Sequence, residues 1–200
     1  MNLPNKLTVS RFVLTAFFLW ALFCPWPIPF RNTFALIFFC MASFTDFLDG
    51  RIARSRKLIT NFGILMDPLA DKILTCSAFI AFIESSHLNP DTPVKVAAWM
   101  VIVIVARELT ITGLRLLAAS KNIVLAAEKF GKHKTISQIV TIIALLVTDA
   151  CHEWTPQLRY VFAPWVGTFA EITLWLTVVL TATSGLIYLW RNRSIYLSEV

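Results

Sequence analysis

Six long apolar runs leave this chain few folds to choose from. They extend from about Phe12 to Phe30, Phe34 to Ala53, Gly63 to Ile83, Val94 to Leu117, Ile136 to Ala150 and Val161 to Trp190. A helix needs about 20 apolar residues to cross a bilayer, and continuous runs of this length suit that task. The composition agrees: 57% of the residues are hydrophobic and 15% charged, with a mean hydropathy of +0.69, whereas soluble domains carry about 25% charge. A membrane β-barrel would show short segments alternating with period two, and these runs do not alternate. The expectation is an all-α polytopic membrane protein with six transmembrane helices, forming a single domain over residues 1–200.

The first run resembles a signal peptide in length, but Cys24-Pro25-Trp26-Pro27 offers no small-residue cleavage site, so it reads as a retained span. Charge then sets the orientation. Of the 18 Lys and Arg residues, only Arg31, Lys95 and Arg159 fall on one side, and the rest fall at the termini and the second and fourth connections. By the positive-inside rule both termini are cytosolic, and an even number of spans agrees with this by leaving them on the same side. The net charge of +6 is then accounted for by loops facing an anionic leaflet, and no nucleic-acid partner is expected. Cys24, Cys40, Cys76 and Cys151 lie in or beside apolar runs without a C-x-x-C pair and read as packing residues. The tryptophans mostly suit interfacial belts.

Against this apolar background four aspartates stand out. Asp46, Asp49, Gly50, Ala53 and Arg54 close the second run, and Gly63, Asp67 and Asp71 open the third. At about 100° per residue, Asp46, Asp49, Gly50 and Ala53 share one face of a helix, and Gly63, Asp67, Ala70 and Asp71 share one face of the next. An ionised carboxylate at membrane depth costs about 2.5 to 3.5 kcal/mol even on lenient insertion scales, and four together repel one another. Something positive must sit among them. Any one of these acids reads as a loop-end partner for Arg51, Arg54, Arg56, Lys57 or Lys72, but four of them, paired at i,i+3 and i,i+4, do not. An all-oxygen donor set suits Mg²⁺ or Mn²⁺ better than zinc. Four carboxylates on two facing helices suffice for two such divalent cations, an arrangement used in phosphoryl transfer.

Gly50, Ala53 and Gly63 clear side chains from the acidic faces, which leaves room for a nucleotide-sized ligand. No two of the six glycines are spaced G-x-G, so phosphate handling falls to metal and to Arg or Lys rather than to a glycine-rich loop.

The pattern Asp46-x2-Asp49-Gly50-x2-Ala53-Arg54-x8-Gly63-x3-Asp67-x3-Asp71 resembles the signature of the CDP-alcohol phosphotransferase family at every fixed position and gap. Asn5-Lys-Leu-Thr8 with Arg11, Arg107-Glu108-Leu with Gly113-Leu-Arg115, and Gly131-Lys132-His-Lys134-Thr135 are similar to its phosphatidylglycerophosphate synthase branch. The resemblance implies a cytosol-facing site in a multi-pass protein of the cell's inner membrane. There CDP-diacylglycerol gives its phosphatidyl group to glycerol 3-phosphate and CMP leaves. It also implies that Asp46, Asp49 and Asp67 are metal ligands, that Asp71 is both ligand and general base, and that Gly50, Ala53, Arg54, Gly63, Thr60 and Asn5 line the CDP-diacylglycerol site. A homodimer is implied as well.

For the acceptor, Arg107 and Arg115 lie eight residues apart, on one side of a helix, and with Lys132 and Lys134 they suit a glycerol phosphate dianion. Taken singly, Arg115, Lys132 and Lys134 read equally well as positive-inside residues snorkelling to headgroups. The signature specifies the donor more firmly than the acceptor, so phosphatidylglycerol, inositol phosphate and serine remain alternatives. A divalent-cation transporter is a remote one, because no polar file continues outward from the aspartates.

Overall fold

The computed structural model describes residues 3–24, 26, 28–56, 61–88, 92–120 and 130–197. Among them there is no strand. Six long helices follow one another: α1 (Leu3–Phe23), α2 (Arg31–Arg56), α3 (Asn61–Leu88), α4 (Ala98–Ser120), α5 (Phe130–Ala150) and α6 (Pro156–Arg191). A 3₁₀ turn (Cys151–Glu153) joins α5 to α6, and a short α7 (Arg193–Leu197) follows α6.

Each expected apolar run falls on one of these helices, but the boundaries differ for local reasons. α1 starts nine residues before Phe12 and stops at Phe23 rather than Phe30, because Pro25 and Pro27 supply no N–H and disfavour helix in the residues before them. Phe30 then adopts φ of 59°, in the left-handed region that non-glycine residues seldom enter, and its carbonyl accepts the Phe34 N–H at 2.9 Å as α2 begins. At the other end α2 continues past Ala53 to Arg56, so the whole stretch from Asp46 to Arg54 is helical. The run expected from Val94 becomes helical only at Ala98. Before that, the Val96 N–H donates to Ser86 Oγ at 3.0 Å, which ties the connection back to α3.

The segments His133–Glu153 and Pro156–Arg191 are long and apolar enough to cross a membrane, and Thr8–Phe23 is a shorter apolar helix. With 36 residues, α6 rises roughly 54 Å at 1.5 Å per residue, well beyond the roughly 30 Å of a hydrocarbon core.

Packing follows the chain only in part. α1 packs on α2 and α3, α5 on α6 and α2, and α4 on α6 and α3. Phe18, Phe39, Phe79, Ile142, Leu146 and Leu174 fill the centre of the bundle, while Ala21, Ala35, Ala42, Ala78, Ala144 and Ala170 let the helix backbones approach. Between α5 and α6, Thr141 Oγ1 donates to the Thr173 carbonyl at 2.9 Å and lies 2.9 Å from Thr177 Oγ1. Outward-facing residues such as Phe17, Ile80, Ile102, Leu109, Ile172 and Leu186 are apolar and exposed, a surface suited to lipid.

Trp154 departs from the belt pattern. It is half-buried, and its indole N–H donates to Thr33 Oγ1 at 3.0 Å. Beside it Glu153 caps α2, with Oε1 accepting from the Asn32 N–H at 2.8 Å and Oε2 from the Thr33 N–H at 2.9 Å and its hydroxyl at 2.8 Å. A carboxylate at a helix N-terminus is favoured by the helix dipole and satisfies amides that have no partner within the helix.

Candidate active site

The signature lies where α2 ends and α3 begins. Asp46, Asp49, Gly50, Ala53 and Arg54 all ride on α2, and Gly63, Asp67 and Asp71 on α3. Only Asp46 and Asp71 among the four aspartates have described side chains. Thr60 lies outside the described residues, as do the side chains of Asn5, Asp49, Arg54, Asp67 and Lys132; for Gly50, Ala53 and Gly63 the description is limited to their helical backbone.

Asp46 keeps 42% of its side chain exposed, so its carboxylate is reachable, and its Oδ1 is 2.7 Å from Nη1 of Arg11. Arg11 comes from α1 and has no exposed surface. In the sequence it belongs to the N-terminal stretch that carries the resemblance, with no role of its own attached; the packing of α1 on α2 turns it inward. Asp71, half-buried on α3, lies within electrostatic reach of Asp46, Lys134, Arg11 and Lys72. Four helices therefore converge on one charged region. Thr75, one turn beyond Asp71, is buried and donates its hydroxyl to the Asp71 carbonyl at 3.1 Å.

Next to the aspartates stands a cluster of cations. Lys72 donates to the Glu108 carbonyl at 3.2 Å, bringing α3 to α4. The carboxylate of Glu108 receives Lys134 Nζ from α5, and its Oε1 is 3.3 Å from Arg107 Nη1. Arg107 reaches on to α6, where its Nη2 donates to Ser184 Oγ at 3.4 Å. Its path depends on Gly185, since a Cβ there would stand 2.7 Å from Arg107 Cγ. Lys72 also lies within electrostatic reach of Arg115 and Arg107.

Arg107, Arg115 and Lys134 are thus brought to one neighbourhood, but not equivalently. Lys134 is only 4% exposed and bound to Glu108, so it does not snorkel. Arg115 is exposed, donates from Nε to the Tyr188 hydroxyl at 3.4 Å and lies over that ring at 5.7 Å. Glu108, Lys72 and the α6 residues Ser184, Gly185 and Tyr188 belong to this neighbourhood too. The α6 residues carry no local sequence signal, being some 70 positions from the helix they touch; the Glu in Arg107-Glu108 is a visible hint, because an acid in an apolar run needs a partner.

Among the described residues no three His, Cys, Asp or Glu side chains gather at one point. What those residues do supply is a carboxylate on each of two adjoining helices, Asp46 exposed and Asp71 half-buried, with hard oxygen donors suited to a divalent cation.

Comparison with known proteins places this geometry in context. A protein of Bacillus subtilis named CDP-diacylglycerol–glycerol-3-phosphate 3-phosphatidyltransferase is 39% identical over 201 residues, covering 96% of this chain and 95% of its own. Proteins of the same name from Escherichia coli and Rickettsia bellii are 32% identical over 206 residues (99% and 98% covered) and 29% identical over 187 residues (94% and 93% covered). A family model described as CDP-alcohol phosphatidyltransferase matches residues 1–191. With its signature on two adjoining helices and this match along nearly all its length, the chain belongs to the CDP-alcohol phosphatidyltransferase family.

Proposed function

We propose that this chain transfers the phosphatidyl group of CDP-diacylglycerol to glycerol 3-phosphate, forming phosphatidylglycerophosphate and CMP. The observation that carries the reading is the convergence of Asp46 and Asp71 with the Lys72, Arg107 and Lys134 cluster, which sets a carboxylate pair beside a phosphate-sized concentration of positive charge. The names and coverage of the relatives favour glycerol 3-phosphate as the acceptor.

In this reading the acceptor's free primary hydroxyl attacks the phosphatidyl phosphorus. The bond from that phosphorus to the oxygen of CMP breaks, and CMP leaves with the electron pair. Asp71 takes the hydroxyl proton, because an alcohol is a poor nucleophile near neutral pH without a base in reach. Arg107, Arg115, Lys132 and Lys134 hold the acceptor's phosphate and so orient the hydroxyl. Gly50, Ala53 and Gly63 leave space for the donor, and Arg54, Thr60 and Asn5 contact its CDP headgroup. Asp46, Asp49, Asp67 and Asp71 are the residues that would hold two divalent cations, Mg²⁺ or Mn²⁺. Bound there, such ions neutralise charge on the pyrophosphate.

The same reading places the protein in the inner membrane as six spans, both termini and the site on the cytosolic side, as a homodimer. The exposed apolar exterior and the excess of Lys and Arg on one side support the membrane placement and its orientation. A purified sample given CDP-diacylglycerol and, separately, radiolabelled glycerol 3-phosphate, phosphatidylglycerol, inositol phosphate or serine tests the acceptor. Label should enter lipid from glycerol 3-phosphate; incorporation of another acceptor in its place overturns the reading.

A further inference from the structure

Three basic side chains from three helices crowd into one neighbourhood, and Glu108 touches all three. Lys134 Nζ meets Glu108 Oε1, Arg107 Nη1 lies 3.3 Å from the same oxygen, and Lys72 donates to the Glu108 backbone carbonyl at 3.2 Å. Glu108 is 7% exposed and Lys134 4%. Like charges this close, away from water, drive one another apart unless a counter-charge holds them. Thr112 donates to the same Glu108 carbonyl at 2.8 Å, while Arg107 is anchored at its far end by Ser184.

We propose that Glu108 is the positioning residue of the acceptor pocket: its carboxylate holds Arg107 and Lys134 and its backbone carbonyl holds Lys72, so that three cations are kept together for a phosphate monoester. The inference rests on the reading of glycerol 3-phosphate as acceptor and adds a residue which that reading does not use. Glu108 acts through the cations and touches no reacting atom.

Steady-state kinetics of Glu108→Gln and Glu108→Asp test this, with each substrate varied in turn. In Glu108→Gln the KM for glycerol 3-phosphate should rise at least about ten-fold, while the KM for CDP-diacylglycerol stays within about two-fold. Inorganic phosphate should inhibit the wild type competitively against glycerol 3-phosphate, and its inhibition constant should weaken by a similar factor. Glu108→Asp keeps the charge with a shorter reach and should recover part of the loss. It also serves as the folded reference if the Gln variant cannot be purified, its acceptor KM then rising alone. Equal changes in both KM values, or an unchanged acceptor KM in whichever variant folds, overturns the proposal. Failure of the wild type to use glycerol 3-phosphate at all is a different result: it overturns the functional reading and this inference with it.

Discussion

Arg11, entirely enclosed, places Nη1 2.7 Å from Oδ1 of Asp46 and so joins α1 to the first aspartate of the signature. An ion pair this close restrains the carboxylate, and a carboxylate that need not be ordered at each binding event would hold a cation more tightly. The pair is asymmetric: the arginine is buried, whereas Asp46 is 42% exposed on its open side.

Replacing Arg11 by Met should therefore loosen Asp46 without removing it. The expected result is a rise of about ten-fold in the Mg²⁺ concentration giving half-maximal rate, of the size seen when partners of metal ligands are lost, with a stability loss of about 1–3 kcal/mol. A Mg²⁺ titration of activity alongside thermal unfolding checks both. An unchanged metal requirement would confine Arg11 to a packing role.

Asp71→Asn keeps the side chain's shape but removes the carboxylate proposed as the base. Turnover should fall by at least about 10²-fold, while CDP-diacylglycerol binding, measured by equilibrium dialysis in detergent, changes far less. Chelation by EDTA should abolish turnover in the wild type, with recovery on adding Mg²⁺ or Mn²⁺. Loss of donor binding equal to the loss of rate would show that Asp71 serves the donor and not the proton.

At Gly185 the prediction concerns space. An alanine Cβ would stand 2.7 Å from Arg107 Cγ, near the root of that side chain, so Arg107 must move away from Ser184. Gly185→Ala should raise the KM for glycerol 3-phosphate several-fold and cost about 1–3 kcal/mol from overpacking. Kinetics with the acceptor varied, compared with kinetics with the donor varied, reveal whether the shift stays on the acceptor side.

Glu153 provides a contrast far from the site. Removing its carboxylate in Glu153→Ala leaves the first amides of α2 without their acceptor, for a loss of about 1–2 kcal/mol. Thermal unfolding should shift downward while both KM values stay as in the wild type; a change in either would mean that the α2 N-terminus communicates with the acidic end.

The helical class, the six apolar runs and the acidic face at Asp46 and Asp49 are all readable in the chain, because each depends on local periodicity. A helix repeats every 3.6 residues whatever packs around it, so residues three or four apart share a face. Helix ends were less legible. α1 captures the mixed-polarity stretch before Phe12 and loses the residues after Phe23, since helical hydrogen bonding overrides hydropathy at the start, and prolines at 25 and 27 in the sequence oppose helix at the end. Arg11 and Lys134 show the same limit at a site. Their sequence neighbours suggest positive-inside cations, and only helix contacts bury them against Asp46 and Glu108.

By itself the sequence determined that this chain is helical and apolar and where the signature residues stand along it, since residue type, spacing and period are properties of a single strand of chain. Only the tertiary structure decided which charges meet: α4, α5 and α6 bring Glu108, Lys134 and Ser184 around Arg107 from positions up to 77 residues away. The reason is physical. Electrostatic pairing depends on distance through space, and that distance is set by how the helices pack rather than by how they are ordered along the chain.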